Sequence, residues 1–246
     1  MDVNIPVMQD TLDRLTAKID RWGQTSWCRI PGGADQITDA DIEAGRYHDF
    51  ELPAEFIEWW RTPEAQALRN WDNNVVPIAD CGTSFCVAGD VCVANGYTFV
   101  AAPGTLHASH VVKNERLLDA LTRGRRRELG DNESAPFVAQ RLLGIDRLES
   151  DVLFSQFRSL PEIWGVAYAV TGGEITLPET LPASTNHNLF GNDVDQHPTA
   201  TATETRRQIF TALLDLARDI GTNRTDTWAR LATEELDKLD RAETSV

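Results

Sequence analysis

The chain has 246 residues, 41% of them hydrophobic and 25% charged, enough to bury a sizeable core in one large domain or in a main domain with a smaller helical appendage. A net charge of −15 argues against a direct grip on nucleic acid or an anionic membrane, where Lys and Arg must neutralise phosphate, and it favours basic protein partners as well as solubility. Cys28, Cys81, Cys86 and Cys92 are too few for a disulfide framework, the first twenty residues are polar and charged with no leader signature, and no run of about 18 apolar residues occurs. A cytoplasmic setting with reduced thiols and no membrane association is therefore expected.

Val7, Leu12, Leu15, Ile19 and Trp22 fall near helical spacing and predict a first helix, closed by Gly23. Residues 28–50 read as a loop around the turn Pro31-Gly32-Gly33. A helical region begins near Pro53, with Phe56, Ile57, Trp59 and Trp60 on its face; Thr62-Pro63 restarts a helix through Ala65, Leu68 and Trp71. Residues 74–79 form a short strand. The segment from Cys81 to Asn95 reads as a helix after a Gly-Thr-Ser opening, closed by Asn95-Gly96. Tyr97 to Ala101 and Leu106 to Val112 read as the two strands of a small hairpin.

Residues 113–129 predict a further helix and 131–134 a loop. Ser134 then caps a helix that carries Phe137, Val138, Leu142 and Leu143 and ends at Gly144. Short helices follow from Arg147 to Phe154 and from Pro161 through Ile163, Trp164 and Val166. Residues 171–203 read as an irregular excursion with room for one strand near Ile175. Two helices close the chain, from Glu204 to Ile220 and from Asp226, capped by Thr225, to Arg241. The predicted fold is a mostly helical α+β domain over 1–170, the excursion over 171–203, and a C-terminal helical pair over 204–246.

Three readings compete for the cysteine-rich segment. Cys86 in the first turn of a helix, with His107 or His110 as base, would suit nucleophilic catalysis. Cys81, Cys86, Cys92, His107 and His110 would suffice for tetrahedral zinc, although Cys86 and Cys92 on one helix would be turned about 240° apart. The third reading is packing, since Cys and Ala are among the most buried residue types. Packing is the reading these residues favour, so no catalytic residue, metal or cofactor is assigned. No phosphate-binding loop, dinucleotide fingerprint, nucleophile elbow or paired-histidine zinc motif occurs.

Arg123, Arg125, Arg126 and Arg127 are the one local concentration of positive charge, suited to a helix C-terminus or to an acidic patch on a partner. Trp59-Trp60 supplies aromatic side chains of the kind that anchor protein interfaces. Trp59, Trp60, Arg123 and Arg126 are thus candidate partner-binding residues, and the amphipathic helices after residue 204 are another, because such helices add readily to coiled coils.

Two stretches carry a likeness. Trp22-Gly23-Gln24-Thr25-Ser26-Trp27 is followed by Cys81-Gly82-Thr83-Ser84-Phe85-Cys86-Val87-Ala88-Gly89, and then by Ala139-Gln140-Arg141-Leu142-Leu143-Gly144-Ile145. This order resembles a broad group of proteins of actinobacteria and their phages, over roughly residues 22–155. That group continues Ala-Gly with Trp-Ala, where this chain has Asp90-Val91. The whole chain, including Tyr47-His48-Asp49-Phe50-Glu51-Leu52-Pro53-Ala54-Glu55-Phe56, resembles the recombination directionality factors of streptomycete temperate phages that use a large serine integrase. The resemblance implies a regulatory protein that does no chemistry. It would bind the integrase near its coiled-coil insertion, touch DNA only through it, and turn recombination from integration to excision. The alternatives from other classes are a phage enzyme that uses Cys86 and a phage inhibitor of a host protein.

Overall fold

A computed structural model describes residues 2–17, 28–29, 39–47, 50–51, 54, 57–58, 61–62, 76–78, 84–101, 107–114, 133–155, 158–182 and 201–244. They form a mostly helical α+β fold with small antiparallel sheets and two C-terminal helices. The chain divides into two compact units, residues 1–20 with 143–246, and residues 21–142. The division differs from the expected one: the C-terminal helical pair belongs with the first helix and with residues 143–170.

In the first unit, helix α1 spans Ile5–Ala17, α5 Arg147–Leu153, α6 Leu160–Val170, α7 Ala202–Ile220 and α8 Asn223–Glu243. Helix α6 touches all four of the others. Its sequence explains why. Leu160, Ile163, Trp164, Gly165, Val166 and Ala167 are all buried, and a helix that is apolar around most of its circumference must be enclosed. Glu162 holds its first turn by accepting the Ser159 N–H at 2.6 Å and the Ser159 hydroxyl at 2.7 Å. Gly165 lets α7 come close: a Cβ there would stand 2.8 Å from Leu213 Cβ and 3.1 Å from the Ile209 carbonyl oxygen. The Trp164 indole N–H donates to Thr16 Oγ1 at 3.1 Å, tying the buried ring to α1.

Two polar contacts fix the remaining edges of this unit. Gly144, at φ +67°, passes so near the Asp2 carbonyl that a Cβ would lie 2.3 Å from its oxygen, and the Asn4 N–H donates to the Leu143 carbonyl at 2.8 Å. The Gln9 side-chain amide pairs with both backbone groups of Thr176, accepting its N–H at 2.7 Å and donating to its carbonyl at 3.1 Å. Residues 171–182 run irregularly, as expected. Ile175 is buried, but it belongs to no strand.

In the second unit, helix α2 spans Asp39–Ala44, α3 Val87–Ala94 and α4 Ala135–Leu143, whose last residue belongs to the first unit. The strands are β1 (Cys28–Arg29), β2 (Arg46–Tyr47), β3 (Phe50–Glu51), β4 (Val76–Ile78), β5 (Ser84–Phe85), β6 (Tyr97–Ala101), β7 (His107–Ala108), β8 (His110–Lys113) and β9 (Glu133–Ser134). They pair antiparallel in the orders β5-β1-β7, β2-β3 and β4-β6-β8-β9. The register Phe99 opposite Val111 buries both side chains, and Lys113 lies over the Tyr97 ring opposite it, 5.1 Å from the centroid.

Several expectations are corrected here. Residues 28–50 are not a plain loop, since they supply β1, α2, β2 and the first residue of β3; strands of two residues carry too little periodicity to be read from sequence. The predicted strand over 106–112 is broken at Ser109: β7 joins one sheet and β8 another, and the Ser109 carbonyl accepts the Ala135 N–H at 2.8 Å. Glu133 and Ser134 form an edge strand where a loop is expected. The helix expected over 81–95 covers only Val87–Ala94, because Ser84 and Phe85 pair with β1 first. At the C-terminus α7 and α8 start earlier than expected. Thr201 and Thr222 are the caps, and Glu204 and Thr225 close each cap from the third helical position. The helix expected over 113–129 begins on Lys113, which instead ends β8; residues 115–129, with Ile19, Trp22 and most of the 53–71 region, lie outside the described residues.

Gly165→Ala gains about 1 kcal/mol of helix propensity but forces Leu213 and the Ile209 carbonyl away, so it should lower stability by a net of about 1–2 kcal/mol. A urea unfolding midpoint that rises in the variant would contradict the close approach of α6 and α7.

Candidate functional site

Cys86 and Cys92 are both fully buried. Cys86 is the residue before α3, and burial pushes its thiol up to about 12. Cys92 is raised too, chiefly by burial and then by the neighbouring Cys86, and its Sγ–H donates to the Ala135 carbonyl at 3.4 Å. The start of a helix lowers a thiol only where the thiolate is also solvated or paired; here desolvation outweighs three backbone hydrogen bonds. Neither thiol is poised as a nucleophile. Among the described residues no group of three His, Cys, Asp or Glu side chains could hold a metal ion.

The other expected site residues are scattered or not described. His110 is an exposed residue of β8, its Nδ1 3.0 Å from Ser109 Oγ. Cys28 and His107 are placed as strand backbone only. Cys81, Trp59, Trp60, Arg123 and Arg126 lie outside the described residues. Among the described residues the second unit presents one exposed large aromatic side chain, Phe137 on α4, which is 68% exposed. One turn later Arg141 bridges Glu133 through two guanidinium nitrogens, at 2.6 and 3.2 Å.

The surface that remains is the hairpin of α7 and α8. Both helices are amphipathic. Ile209, Phe210, Leu213, Leu216 and Ala217 of α7, with Thr225, Trp228 and Ala232 of α8, form its buried seam. Gly221, at φ +61°, closes α7 and permits the two-residue turn into α8. The far end is pinned by Arg207, which donates to Asp240 at 2.7 Å and to Glu243 at 3.0 Å. The near end is clasped to α5. There Arg224 donates to Glu149 at 2.5 Å and also meets Asp146, while Asp146 and Glu149 cap the first turn of α5 reciprocally. Glu149 is only 8% exposed, and its carboxylate oxygens accept from Arg224 and from the Asp146 N–H.

This unit also carries most of the acidity. Its residues include 21 carboxylates and 11 basic side chains, a net of −10 of the total −15. No described helix is long and apolar enough to cross a membrane. The Asp146-x-x-Glu149 and Thr201-x-x-Glu204 spacings were capping signatures available in the sequence. The reach of Arg224 across the fold had no sequence signal.

No protein-family model matches the chain, and no curated protein or solved structure is significantly similar to it.

Two outcomes follow. Arg224→Ala leaves Glu149 buried with one fewer donor and should cost about 1–2 kcal/mol, whereas Arg230→Ala, which breaks only an exposed pair with Glu234, should cost less than about 0.5 kcal/mol. Equal unfolding midpoints for the two variants would remove the clasp from the account. The raised thiols make the second. The unfolded chain loses these protons first, near the ordinary value of 9.0, so stability is full below that pH and falls as pH rises towards about 12. Between about pH 8 and about pH 10 the wild type should lose more stability than Cys86→Ala, and an equal loss would contradict the burial of the Cys86 thiol.

Proposed function

We propose that this protein is a recombination directionality factor. It binds a large serine integrase and biases that enzyme's attachment-site synapses towards excision, without chemistry of its own. The observation that carries the reading is the α7–α8 hairpin: an anchored pair of amphipathic helices of the kind that adds to a coiled coil. The likeness of the whole chain to such factors supports the same partner. A net charge of −15 supports recruitment through protein and not through DNA.

In energetic terms the factor needs only to bind one synaptic geometry better than another. A change in product ratio from 1:99 to 99:1 requires a difference of about 5.5 kcal/mol in binding between the two arrangements. A firmly anchored surface serves this purpose better than a pliable one, because a surface that adapts to both geometries discriminates between neither.

Gel mobility of attachment-site DNA tests the partnership. The protein should leave bare DNA unshifted and should further retard DNA already held by the cognate integrase. Retardation of bare DNA, or no change in the integrase complex, would refute the proposal.

A further inference from the structure

The sequence holds one Asn-Gly pair, Asn95-Gly96, and the fold uses it to turn from α3 into β6. Gly96 takes a φ of +77°, which the turn requires. The same pair is the one most prone to lose an asparagine side-chain amide, because a glycine nitrogen has no side chain beside it to block its attack on the asparagine side-chain carbon. The turn opposes that attack. Asn95 Nδ2 donates to the Val91 carbonyl at 2.8 Å and holds the side chain back along α3. The Gly96 N–H donates to the Val93 carbonyl at 3.1 Å, and the Gly96 carbonyl accepts the Asn114 N–H at 2.9 Å. At an Asn95 ψ of +21°, the Gly96 nitrogen stands across the Cα–C bond from the Asn95 side chain, where no ring can close. Both residues are half-buried, so water reaches the turn although the reacting atoms are held apart.

We propose that Asn95 is a latent deamidation site, kept closed by the folded second unit and converted when the turn between α3 and β6 opens. In the open turn hydroxide removes the Gly96 amide proton, and the nitrogen attacks Asn95 Cγ. The Cγ–Nδ2 bond breaks, and the side-chain amide leaves as ammonia with a proton from water. Water then opens the succinimide at either carbonyl and gives aspartate or isoaspartate at position 95. Neither product fits the closed turn. A carboxylate has no proton to donate to the Val91 carbonyl, and its charge falls at the negative end of α3. Isoaspartate also adds a backbone carbon before Gly96, which displaces the bonds of Gly96 to Val93 and Asn114. Val91 and Cys92, both fully buried, lie within a turn of the change. The conversion is one-way, so each opening that leads to it leaves the second unit weaker.

The full-length protein and a synthetic peptide of residues 91–100 are incubated side by side in mildly alkaline buffer, and the mass gain of deamidation is located by fragmentation. Hydrogen exchange at the Gly96 amide is followed in the same buffer. The peptide should convert readily. The folded protein should convert at least about tenfold more slowly, by a factor that matches the protection of the Gly96 amide within about tenfold. Urea above the unfolding transition should bring the protein to the rate of the peptide. A peptide that does not convert, a folded protein that keeps pace with it, or a slowing unrelated to the protection of Gly96 would overturn the proposal. The misfit of the product is read from Asn95→Asp, which should lower the urea midpoint of the protein. The control Asn114→Asp adds the same charge at an exposed position and keeps the oxygen that accepts the Thr98 hydroxyl, so its midpoint should stay with the wild type. Equal midpoints for the two variants would remove the weakening from the proposal.

Discussion

The closeness of α6 to α7 at Gly165 is the constraint from which the first unit is built. A helix with Trp164 and Ile163 on its surface cannot be left in water, and four other helices enclose it. Only a residue without a side chain lets the backbone of α7 come within contact of the α6 axis, with Leu213 and Ile209 against it. That approach sets where α7 lies, the turn at Gly221 then sets α8, and Arg224 locks α8 to α5. The position of the hairpin is thus a consequence of one missing methyl group at the centre of the unit.

The same arrangement separates the part of the molecule that holds shape from the part that the proposed function assigns to a partner. Apolar burial and capping boxes hold α5, α6 and the inner faces of α7 and α8. The outer faces carry charge, half-buried leucines and exposed threonines. A protein that acts by preferring one arrangement of another molecule needs such a division. Its own conformation must stay fixed while the contact surface remains solvated until the partner arrives. Cys86 and Cys92 belong to the core of the second unit, buried with Ala88 and Val91.

Much of the helical content was legible because long amphipathic periods and caps are local signals. Ile209, Phe210, Leu213, Leu216 and Ala217 announce α7, and Pro161 with Ile163 and Trp164 announces α6. What was not legible depends on contacts distant in sequence. The two-residue strand Cys28–Arg29 acquires its conformation from Phe85, Ser84, Ala108 and His107, and nothing in its own composition marks it. The break at Ser109 is set by the Ala135 N–H, and the clasp at Arg224 by a carboxylate 75 residues away. The chemistry of Cys86 was equally out of reach. A helix start lowers a thiol and burial raises it, and only the fold shows that burial wins. The C-terminal helices were among the candidate surfaces from their amphipathic pattern alone, but the sequence could not say that α5 and α6 lie against them.

The most direct test of the account is recombination between hybrid attachment sites by the purified cognate integrase, scored as excised product with and without this protein. The account predicts that the integrase alone leaves the hybrid sites largely intact, and that adding the protein drives excision while suppressing recombination of the original sites. An unchanged product ratio at saturating protein would contradict it.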